Sequence, residues 1–551
     1  MSSGRRAAGI VGVAVVGSRV LGLARELIFA AMFGAGKCLD AFLAAFQIPN
    51  LMRDLFAEGA LSTAFTTTFT KTHEKEGAEP AWRLASVLFS TVLVVLGAVC
   101  LLGIAASPWI VQVTNFGFHQ VEGKFELTVR LTRMLFPFIL FVSLAAVVMG
   151  MLNARFIFGL PASASSAFNV VSVVGGVALA YVFDPQSDWR HPHFTERALY
   201  GLSLGVLLGG LAQLAIQLPA LRQLGYRFRW RLDFRDPGLR QIWVLMWPSV
   251  IAGAAVQVNV LVNGMFASEI DGARSWLNCA FRLMQFPIGV FGVAIATVTL
   301  PAVARHHARD DLASFGSTVE EALRLAFYLT IPASVGLCVL APDVIGVIYQ
   351  HGRFSASDTT QTAAALRAYS IGLAGYAAIK VLAPCFYALD QPRTPLRVSL
   401  LAIGINLAMN LLLVKVLGMG HVGLATTTGC LALVNFVQLA FHLRRIVPFG
   451  RVRQWLEFAA AVLAASLLCA LAAWLADAAV AARLGAAFTP RCAALLAGVV
   501  AGGGAYVAAT MLLRVPEAMA ALGLARRLVR RFTSGRRAPP GSPPANRLTK
   551  S

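Results

Sequence analysis

Residues 7–33 read AAGIVGVAVVGSRVLGLARELIFAAMF, a stretch long and apolar enough to cross the hydrocarbon core of a bilayer as one helix. Similar stretches recur along the whole chain of 551 residues, of which 58% are hydrophobic and only 13% charged. Soluble domains carry about 25% charged residues, so a chain with half that share cannot coat several soluble domains. The composition therefore predicts an all-α polytopic membrane protein.

Fourteen stretches of this kind are predicted to span the membrane, each close to or above the roughly 20 residues that a bilayer requires. They run over 7–33, 39–69, 84–106, 126–152, 160–182, 198–219, 241–267, 275–304, 318–341, 360–388, 395–416, 421–442, 455–478 and 491–513.

Basic residues outside these spans fall mostly on one side of the membrane. With the N-terminus inside, 29 Lys and Arg residues lie on the cytoplasmic side and 9 on the opposite side. Cytoplasmic loops carry an excess of Lys and Arg, so we expect both termini in the cytoplasm and an even number of spans. Most of the formal net charge of +21 lies in these short loops, and we therefore expect no nucleic-acid partner.

Four sequence matches indicate an internal duplication, because they recur in order at offsets of 233 to 238 residues. They pair Met32-Phe33 with Met265-Phe266, Ala45-Phe46 with Ala280-Phe281, Pro49 with Pro287, and Pro161 with Pro395. Six spans per copy is an even number, so both copies enter the membrane in the same direction. Two parallel halves around a central site are typical of alternating-access transporters.

The duplication divides the chain into five predicted parts. They are a first six-helix half at 1–220, a basic interfacial linker at 221–240 that contains RFRWRLDFR, a second six-helix half at 241–450, two further helices at 451–513, and a basic, disordered cytoplasmic tail at 514–551. The tail is expected to lie close to anionic lipid headgroups.

Some arginines lie inside the predicted spans, where a charge is costly. At 1.5 Å per residue, Arg19 lies roughly 18 Å and Arg53 roughly 20 Å into their helices, while Arg25 lies nearer the outer face. A charge near the bilayer centre costs at least about 2.5–3.5 kcal/mol, so it normally faces a cavity or a partner. Arginine forks bind phosphate oxygens in pairs, and this favours a site for a lipid-linked phosphate.

Acidic residues in the same spans offer an alternative interpretation of these arginines. Glu26, Asp40, Asp54 and Glu58 are the supporting charges that we single out. Under this alternative, these acids neutralise the arginines in structural ion pairs. The case for such a pair is strongest for Arg53, which lies beside Asp54. It is weaker for Arg19, which has no acidic neighbour within one helical turn.

Several stretches of the chain resemble the lipid II flippase family MurJ, also called MviN, of the multidrug/oligosaccharidyl-lipid/polysaccharide exporter superfamily. They are SRVLGLARELIFAAMFGAG (18–36), DAFLAAFQIPNLMRDLFAEGALSTAF (40–65), RLMQFPIGVFGVA (282–294), YQHGRF (349–354) and KVLAPCFYALDQPRTP (380–395). The resemblance runs over essentially the whole chain up to the tail.

The resemblance implies that the chain moves lipid II, an undecaprenyl-diphosphate-linked muropeptide, between leaflets of the bacterial inner membrane. It implies that Arg19, Arg25, Arg53 and Arg282 face the diphosphate in a central cavity, and that Asp40 and Glu58 occupy acidic family positions. It also implies a groove for the lipid tail at the last two helices. Lipid II and membrane lipids are the expected partners, with the cell-wall synthesis machinery as a further one, and no cofactor or metal is expected.

Three positions depart from the family pattern. The family usually has a second arginine where Asp54 stands, an aspartate where Phe281 stands and a glutamate where Gln285 stands. These changes nearly conserve the local net charge, so we interpret them as repacked charge pairing within one function.

Rival functions remain open at this point. Another exporter of polyprenyl-diphosphate-linked glycans needs the same phosphate chemistry, and composition does not separate it from a lipid II flippase. A cationic-drug exporter is disfavoured by the arginines in the cavity. An enzyme is disfavoured because His306-His307, the one adjacent histidine pair, lies in a basic loop. A scaffold would not need deep arginines, and the absence of a GxxxxGK[ST] motif argues against direct use of ATP.

Overall fold

The computed structural model describes residues 2–55, 61–187, 193–448, 450, 452–485 and 487–519. Within these ranges the chain forms helices joined by short turns, and no strand is present. Predicted Glu58 and the tail from residue 520 lie outside the described residues.

Twenty α-helices run in chain order. Those before the linker are α1 (Ser2–Phe33), α2 (Lys37–Met52), α3 (Ser62–Glu76), α4 (Ala78–Thr114), α5 (Lys124–Leu135), α6 (Phe138–Ala154), α7 (Gly159–Phe183), α8 (Ala198–Ala215) and α9 (Leu218–Gln223). After it follow α10 (Pro237–Ala267), α11 (Ala273–Pro287), α12 (Val293–His307), α13 (Leu312–Val339), α14 (Ala341–Tyr349), α15 (Ala356–Ser370), α16 (Leu373–Ala388), α17 (Arg393–Asn410), α18 (Gly420–Arg444), α19 (Val452–Leu484) and α20 (Phe488–Leu512). A 3₁₀ turn at Phe116–Gln120 and π-helical turns at Ile288–Gly292 and Leu411–Val416 complete the set.

Many of these helices are long and apolar enough to cross a membrane. Among the described residues, ten spans meet this condition and two more do so as bent pairs, in α10 and in α15–α16. These twelve correspond to the third through fourteenth predicted spans. The first two predicted spans form α1 and the pair α2–α3, and the count of fourteen remains a prediction. The chain is thus an all-α polytopic membrane protein, as its composition predicts.

Two helices at the centre of the molecule are broken at matching places. Pro49 lies inside α2, and the backbone widens into a π-helical turn at 53–55. Pro287 ends α11, and a π-helical turn follows directly at Ile288–Gly292. Proline removes a backbone hydrogen bond and its ring clashes with the preceding turn, which explains a break at each position.

The turns define two faces, named here for use below. The basic face carries the turns around Gly77, 155–158, 308–311 and 389–392, and the opposite face carries those at 34–36, 115–123, 268–272 and 350–355. For description, residues 2–223 are called the first half and 237–444 the second half.

The hydrophobic core joins the two halves in a shared cluster toward the opposite face, and at the start of α10 toward the basic face. One buried cluster there combines Phe42 and Leu131 of the first half with Phe266 and Leu366 of the second. Toward the basic face the core divides. One cluster belongs to the first half and the start of α10, and another belongs to the second half. Apart from the start of α10, the buried clusters of the two halves are therefore separate toward the basic face.

The last two helices pack as a pair against α13. Tyr328 of α13 lies in a buried cluster with Phe458 and Tyr506, and the Tyr506 hydroxyl donates to the Tyr328 carbonyl over 2.6 Å. The first residues of the predicted tail belong to the same cluster. In addition, Glu517 pairs with Arg324 at 2.5 Å. Residues 514–519 are therefore packed onto the helices.

Candidate functional site

Three of the four predicted arginines converge where the two halves meet. Arg25 lies on α1, Arg53 directly follows α2, and Arg282 lies on α11. Arg53 and Arg282 lie close enough to Arg25 for their charges to repel it. Helices from both halves therefore place positive charge at one point within the membrane span.

Arg282 and Glu26 form an ion pair that bridges the halves. The Arg282 Nε donates to Glu26 Oε2 over 2.8 Å, and Nη2 donates to the second carboxylate oxygen. This two-point geometry is the one with which a guanidinium binds a carboxylate or a phosphate. Glu26 Oε1 also lies 4.0 Å from Arg25 Nη2, so one carboxylate faces two arginines.

Arg25 is the most enclosed of the four predicted site arginines. Its guanidinium lies 5.9 Å from the centre of the Phe46 ring and 5.3 Å from that of Phe168. Its Nη1 is buried and finds no hydrogen-bond partner among the described residues. A buried donor without an acceptor is costly, and a phosphate oxygen would satisfy it.

Arg53 is held by the neighbouring carboxylate. Its Nη2 and Nε donate to Asp54 Oδ1 over 2.8 and 3.2 Å. Gln257 of α10 donates to the other Asp54 oxygen over 3.5 Å, a weak contact. The geometry of Arg53 therefore agrees with the interpretation that it forms a structural ion pair. Arg25, in contrast, makes only a long contact to its acidic neighbour Glu26.

Arg19 lies six residues before Arg25 on α1, about 9 Å along the helix axis. Its side chain is exposed, and its guanidinium rests against Gly289 in the π-helical turn of the second half. A Cβ built on Gly289 would stand 2.1 Å from Arg19 Nη1. Glycine is therefore needed at this position for the guanidinium to lie where it does.

Asp40 lies in a different cluster, toward the opposite face. Its buried carboxylate accepts hydrogen bonds from Lys124 Nζ at 2.8 Å and from the Gly272 N–H at 2.8 Å. It also accepts from the Ser275 N–H at 2.9 Å and the Ser275 hydroxyl at 2.6 Å. Three of these four bonds reach the second half, so Asp40 ties α2 to the beginning of α11.

Further polar contacts close the opposite face. The Arg274 Nη1 donates to Gln47 Oε1 over 2.6 Å, and its Nη2 donates to the Gly264 carbonyl over 2.9 Å. The Arg353 N–H donates to the Ala31 carbonyl over 2.8 Å, at a point where α1 ends. Together with Asp40, these contacts hold the two halves together on the opposite face.

The family model for the lipid II flippase MurJ matches residues 29–493. The chain belongs to the MurJ family.

Two curated MurJ relatives show the extent of the similarity. The lipid II flippase MurJ of Burkholderia cenocepacia is 33% identical over 458 residues, which cover 82% of this chain and 86% of that protein. The probable lipid II flippase MurJ of Vibrio cholerae is 34% identical over 483 residues, covering 85% and 89%. A solved structure titled "Lipid II flippase MurJ, inward closed conformation" has a TM-score of 0.74 at 22% identity, over 92% of this chain and 98% of that one.

Two of the positions predicted to depart from the family pattern lie beside Arg282. The Phe281 ring packs against the rings of Tyr369 and Tyr376, with centroids 5.3 and 6.4 Å away. An aspartate there would lose these aromatic contacts. Gln285 is exposed. Arg282 therefore takes its counter-charge from Glu26 on the other half.

Sequence reasoning missed three residues of the Asp40 cluster. Lys124 and Arg274 lie just outside the predicted spans that begin at 126 and 275, yet both are buried. Ser275 carried no signal of its own, although the duplication offset of 235 pairs it with Asp40. That pairing, examined for polar residues, would have pointed to this contact between the halves.

Proposed function

We propose that this chain moves lipid II from the inner to the outer leaflet of the bacterial cytoplasmic membrane by alternating access. The observation that carries the proposal is the convergence of Arg25, Arg53 and Arg282 from both halves, next to the cluster that holds the halves together on the opposite face. The diphosphate of the substrate is the group that these arginines bind.

Each arginine has a distinct part in binding the diphosphate. Arg25 offers a buried N–H that lacks an acceptor, and Arg282 offers a fork that a carboxylate now fills. Glu26 acts as an internal stand-in for the substrate, and the diphosphate displaces it. Arg19 lies further toward the basic face and meets the diphosphate first. The supporting charge Asp54 orients Arg53, and Glu58 remains a predicted supporting charge.

The sides of the membrane follow from the distribution of charge. Since basic loops stay in the cytoplasm, the basic face is the cytoplasmic one and both termini lie there. The arginines are then open to the inner leaflet, where the substrate is made, and the Asp40 cluster is the outer seal. Binding of the diphosphate between the halves favours their closure on the basic face, and the outer seal then opens.

The proposed parts of the chain have matching roles. The halves at 1–220 and 241–450 rock about each other, with the linker at 221–240 as the joint. Helices at 451–513 provide a groove for the prenyl tail, and the tail at 514–551 lies near anionic headgroups. Membrane lipids and the wall-synthesis machinery are the further partners. The chain acts as a transporter and not as an enzyme.

Complementation in a bacterium depleted of its own lipid II flippase tests the proposal. Wild type is expected to restore growth, whereas Arg25→Ala is expected to fail at an equal level in the membrane. Arg133→Ala is the matched control, because Arg133 is an exposed arginine of α5 outside the site. Rescue by Arg25→Ala would refute the anion site. Failure of well-expressed wild type would instead favour the export of another polyprenyl-diphosphate-linked glycan.

A further inference from the structure

A carboxyl group lies buried in the last pair of helices. Asp477 belongs to α19 and lies seven residues before the helix ends at Leu484, about 10 Å inside this end. It is only 8% exposed, and its Oδ1 atom is buried without a hydrogen-bond partner among the described residues. A charged side chain inside a membrane span is costly, so an acid at this place indicates a site for a counter-charge or a proton.

A second carboxyl group comes close to Asp477 from the second half. A Cβ built on Gly498 of α20 would stand 3.3 Å from Asp477 Cβ and 3.4 Å from Leu340 Cδ2. Leu340 directly precedes α14, and Asp343 follows three residues later in the first turn of that helix. Asp343 lies close enough to Asp477 for two negative charges to repel each other. Two acids from different helices therefore meet where α14 packs against the α19–α20 pair.

The basic side chains near this contact are bound to other groups. Arg491 of α20 donates to Gln350 Oε1 over 3.0 Å, and Arg367 of α15 donates to the Cys338 carbonyl over 3.1 Å. Within the described part of the chain, neither of the two acids forms an ion pair. The remaining titratable side chains within two turns on α13, α14, α19 and α20 are Cys338, Tyr349, Arg483 and Cys492. Of these four only Arg483 is basic, and it is exposed.

The surroundings of the two acids differ. Asp343 is partly exposed and lies in the first turn of α14, where the positive end of the helix dipole stabilises a negative charge. Asp477 lies in the body of α19 and has no such support. Burial and a neighbouring negative charge both favour the neutral form of a carboxyl group. Asp343 therefore keeps its charge, and Asp477 is the acid that takes up a proton.

A metal ion fits this contact less well than a proton does. Hard cations such as Mg²⁺ and Ca²⁺ take about six or more oxygen ligands. Within the described ranges, no group of three or more His, Cys, Asp or Glu side chains is placed to hold a metal ion. A proton needs only one oxygen atom, and Asp477 Oδ1 provides it.

We propose that Asp477 binds an exchangeable proton and that this proton neutralises the contact between α14 and the α19–α20 pair. The proton comes from water at the opposite face, forms an O–H bond at Asp477 Oδ1, and returns to the same water on release. Its release leaves two negative charges at the contact, so this end of the helix pair loosens. The buried cluster around Tyr328, Phe458 and Tyr506 holds the other end. The site shares no residue with the arginine site and does not depend on the proposed transport.

Infrared absorption of the full-length protein in dodecyl maltoside, a detergent without a carbonyl group, tests for the proton. At a pH of about 7 exposed acids are ionised, so the spectrum of wild type minus that of Asp477→Asn should contain the absorption of one protonated carboxyl group. Glu517→Gln is the matched control, because Glu517 is 12% exposed but pairs with Arg324. It should lose the absorption of a carboxylate instead. The amide absorptions check that each variant keeps its helices. A first difference without a protonated carboxyl group, or the same loss in both variants, would overturn the proposal.

The same absorption tests whether the proton exchanges and whether a metal ion replaces it. Raising the pH should remove the absorption from wild type reversibly. Its persistence at every pH at which the protein stays folded would overturn the exchangeable site. Replacing choline chloride by sodium chloride at constant pH should leave the absorption unchanged. Its loss in sodium chloride would assign the site to a metal cation and would equally overturn the proposal.

Hydrogen exchange of backbone amides tests the effect on packing. At the pH at which the absorption has disappeared, residues 490–502 around Gly498 should exchange at least about fivefold faster in wild type than in Asp477→Asn. Both proteins are measured at the same pH, so the intrinsic exchange rates cancel. Residues 455–466, beside the Tyr328 cluster, should exchange equally in both. Equal rates around Gly498 would show that the proton does not control this contact.

Discussion

Replacing Asp40 by asparagine should open the face that the Asp40 cluster seals. Asp40 accepts four hydrogen bonds, and its partner Lys124 is almost completely buried. Loss of one member of a buried ion pair costs about 3–5 kcal/mol, because the other charge stays buried without compensation. Asparagine still accepts some of these bonds, and Lys124 keeps its contact with Asp271 at 2.7 Å, so we take the lower value. Once the halves separate, water solvates these groups, and the cost therefore falls on the sealed state alone.

A difference of about 3 kcal/mol corresponds to a shift of roughly 150-fold in the equilibrium between sealed and open states. Ser268 provides a reporter, because it is only 3% exposed and its hydroxyl accepts the Gly117 N–H over 3.2 Å. The reporter variant is Ser268→Cys in a background that lacks the partly exposed cysteines Cys38, Cys338, Cys430 and Cys492. The rate at which it reacts with an impermeant maleimide should be proportional to the population of the open state. Asp40→Asn is expected to raise this rate by about two orders of magnitude.

Asp271→Asn is the matched control for this experiment. Asp271 also pairs with Lys124, at 2.7 Å, but its side chain is 51% exposed. Exposed pairs contribute about 0–1 kcal/mol, so its removal should change the rate by less than about fivefold. A rate for Asp40→Asn within twofold of wild type, or equal effects of the two variants, would refute the reasoning.

Three further predictions concern the arginine site. Arg25→Lys should lower transport by at least about tenfold, because an ammonium lacks the planar fork and its ring contacts; wild-type transport in reconstituted vesicles would contradict this. Glu26→Gln should tighten the binding of inorganic pyrophosphate by about tenfold, because an internal competitor for Arg282 loses its charge; calorimetry that finds equal or weaker binding would exclude the stand-in role. Gly289→Ala should lower transport several-fold by displacing Arg19, whereas Gly404→Ala, which has open space around it, should not; equal activities of the two variants would remove Gly289 from the site.

Apolar length predicted the membrane-spanning helices well but not their ends. The third predicted span covers 84–106, whereas α4 runs from Ala78 to Thr114. Hydropathy detects the part of a helix that needs hydrocarbon, and α4 continues beyond that part on both sides. The bend between α15 and α16 was not predicted either, because the apolar stretch over 360–388 is continuous. There Gly372 approaches Gly429 so closely that an added Cβ would stand 2.5 Å from it, a packing constraint that a single segment does not reveal.

The arginines were predicted from their depth and from the resemblance, but most of their partners were not. Arg282 and Glu26 are 256 residues apart, and nothing in their local sequence links them. Asp40 was grouped with the arginines because it shares a predicted span with Arg53. The two are 13 residues apart, about 20 Å along a helix, so they belong to different layers of the molecule. The distance along the helix axis therefore places Asp40 and Arg53 in different layers, although both are charged residues of one predicted span.

The ion pair between Glu26 and Arg282 bears on how the transport cycle responds to voltage. The Glu26 carboxylate lowers by one the positive charge that the empty site carries on its return step. A diphosphate that leaves a negative interior carries two charges down the electrical gradient, and each is worth about 2.3 kcal/mol per 100 mV. Under the proposed mechanism each full cycle thus gains this energy from the potential, and Glu26 limits the part of it that falls on the empty return step. Transport in vesicles should accelerate with an inside-negative potential, and Glu26→Gln should make the return of the empty carrier more voltage-dependent; transport that is indifferent to potential would show that the cycle draws its direction from elsewhere.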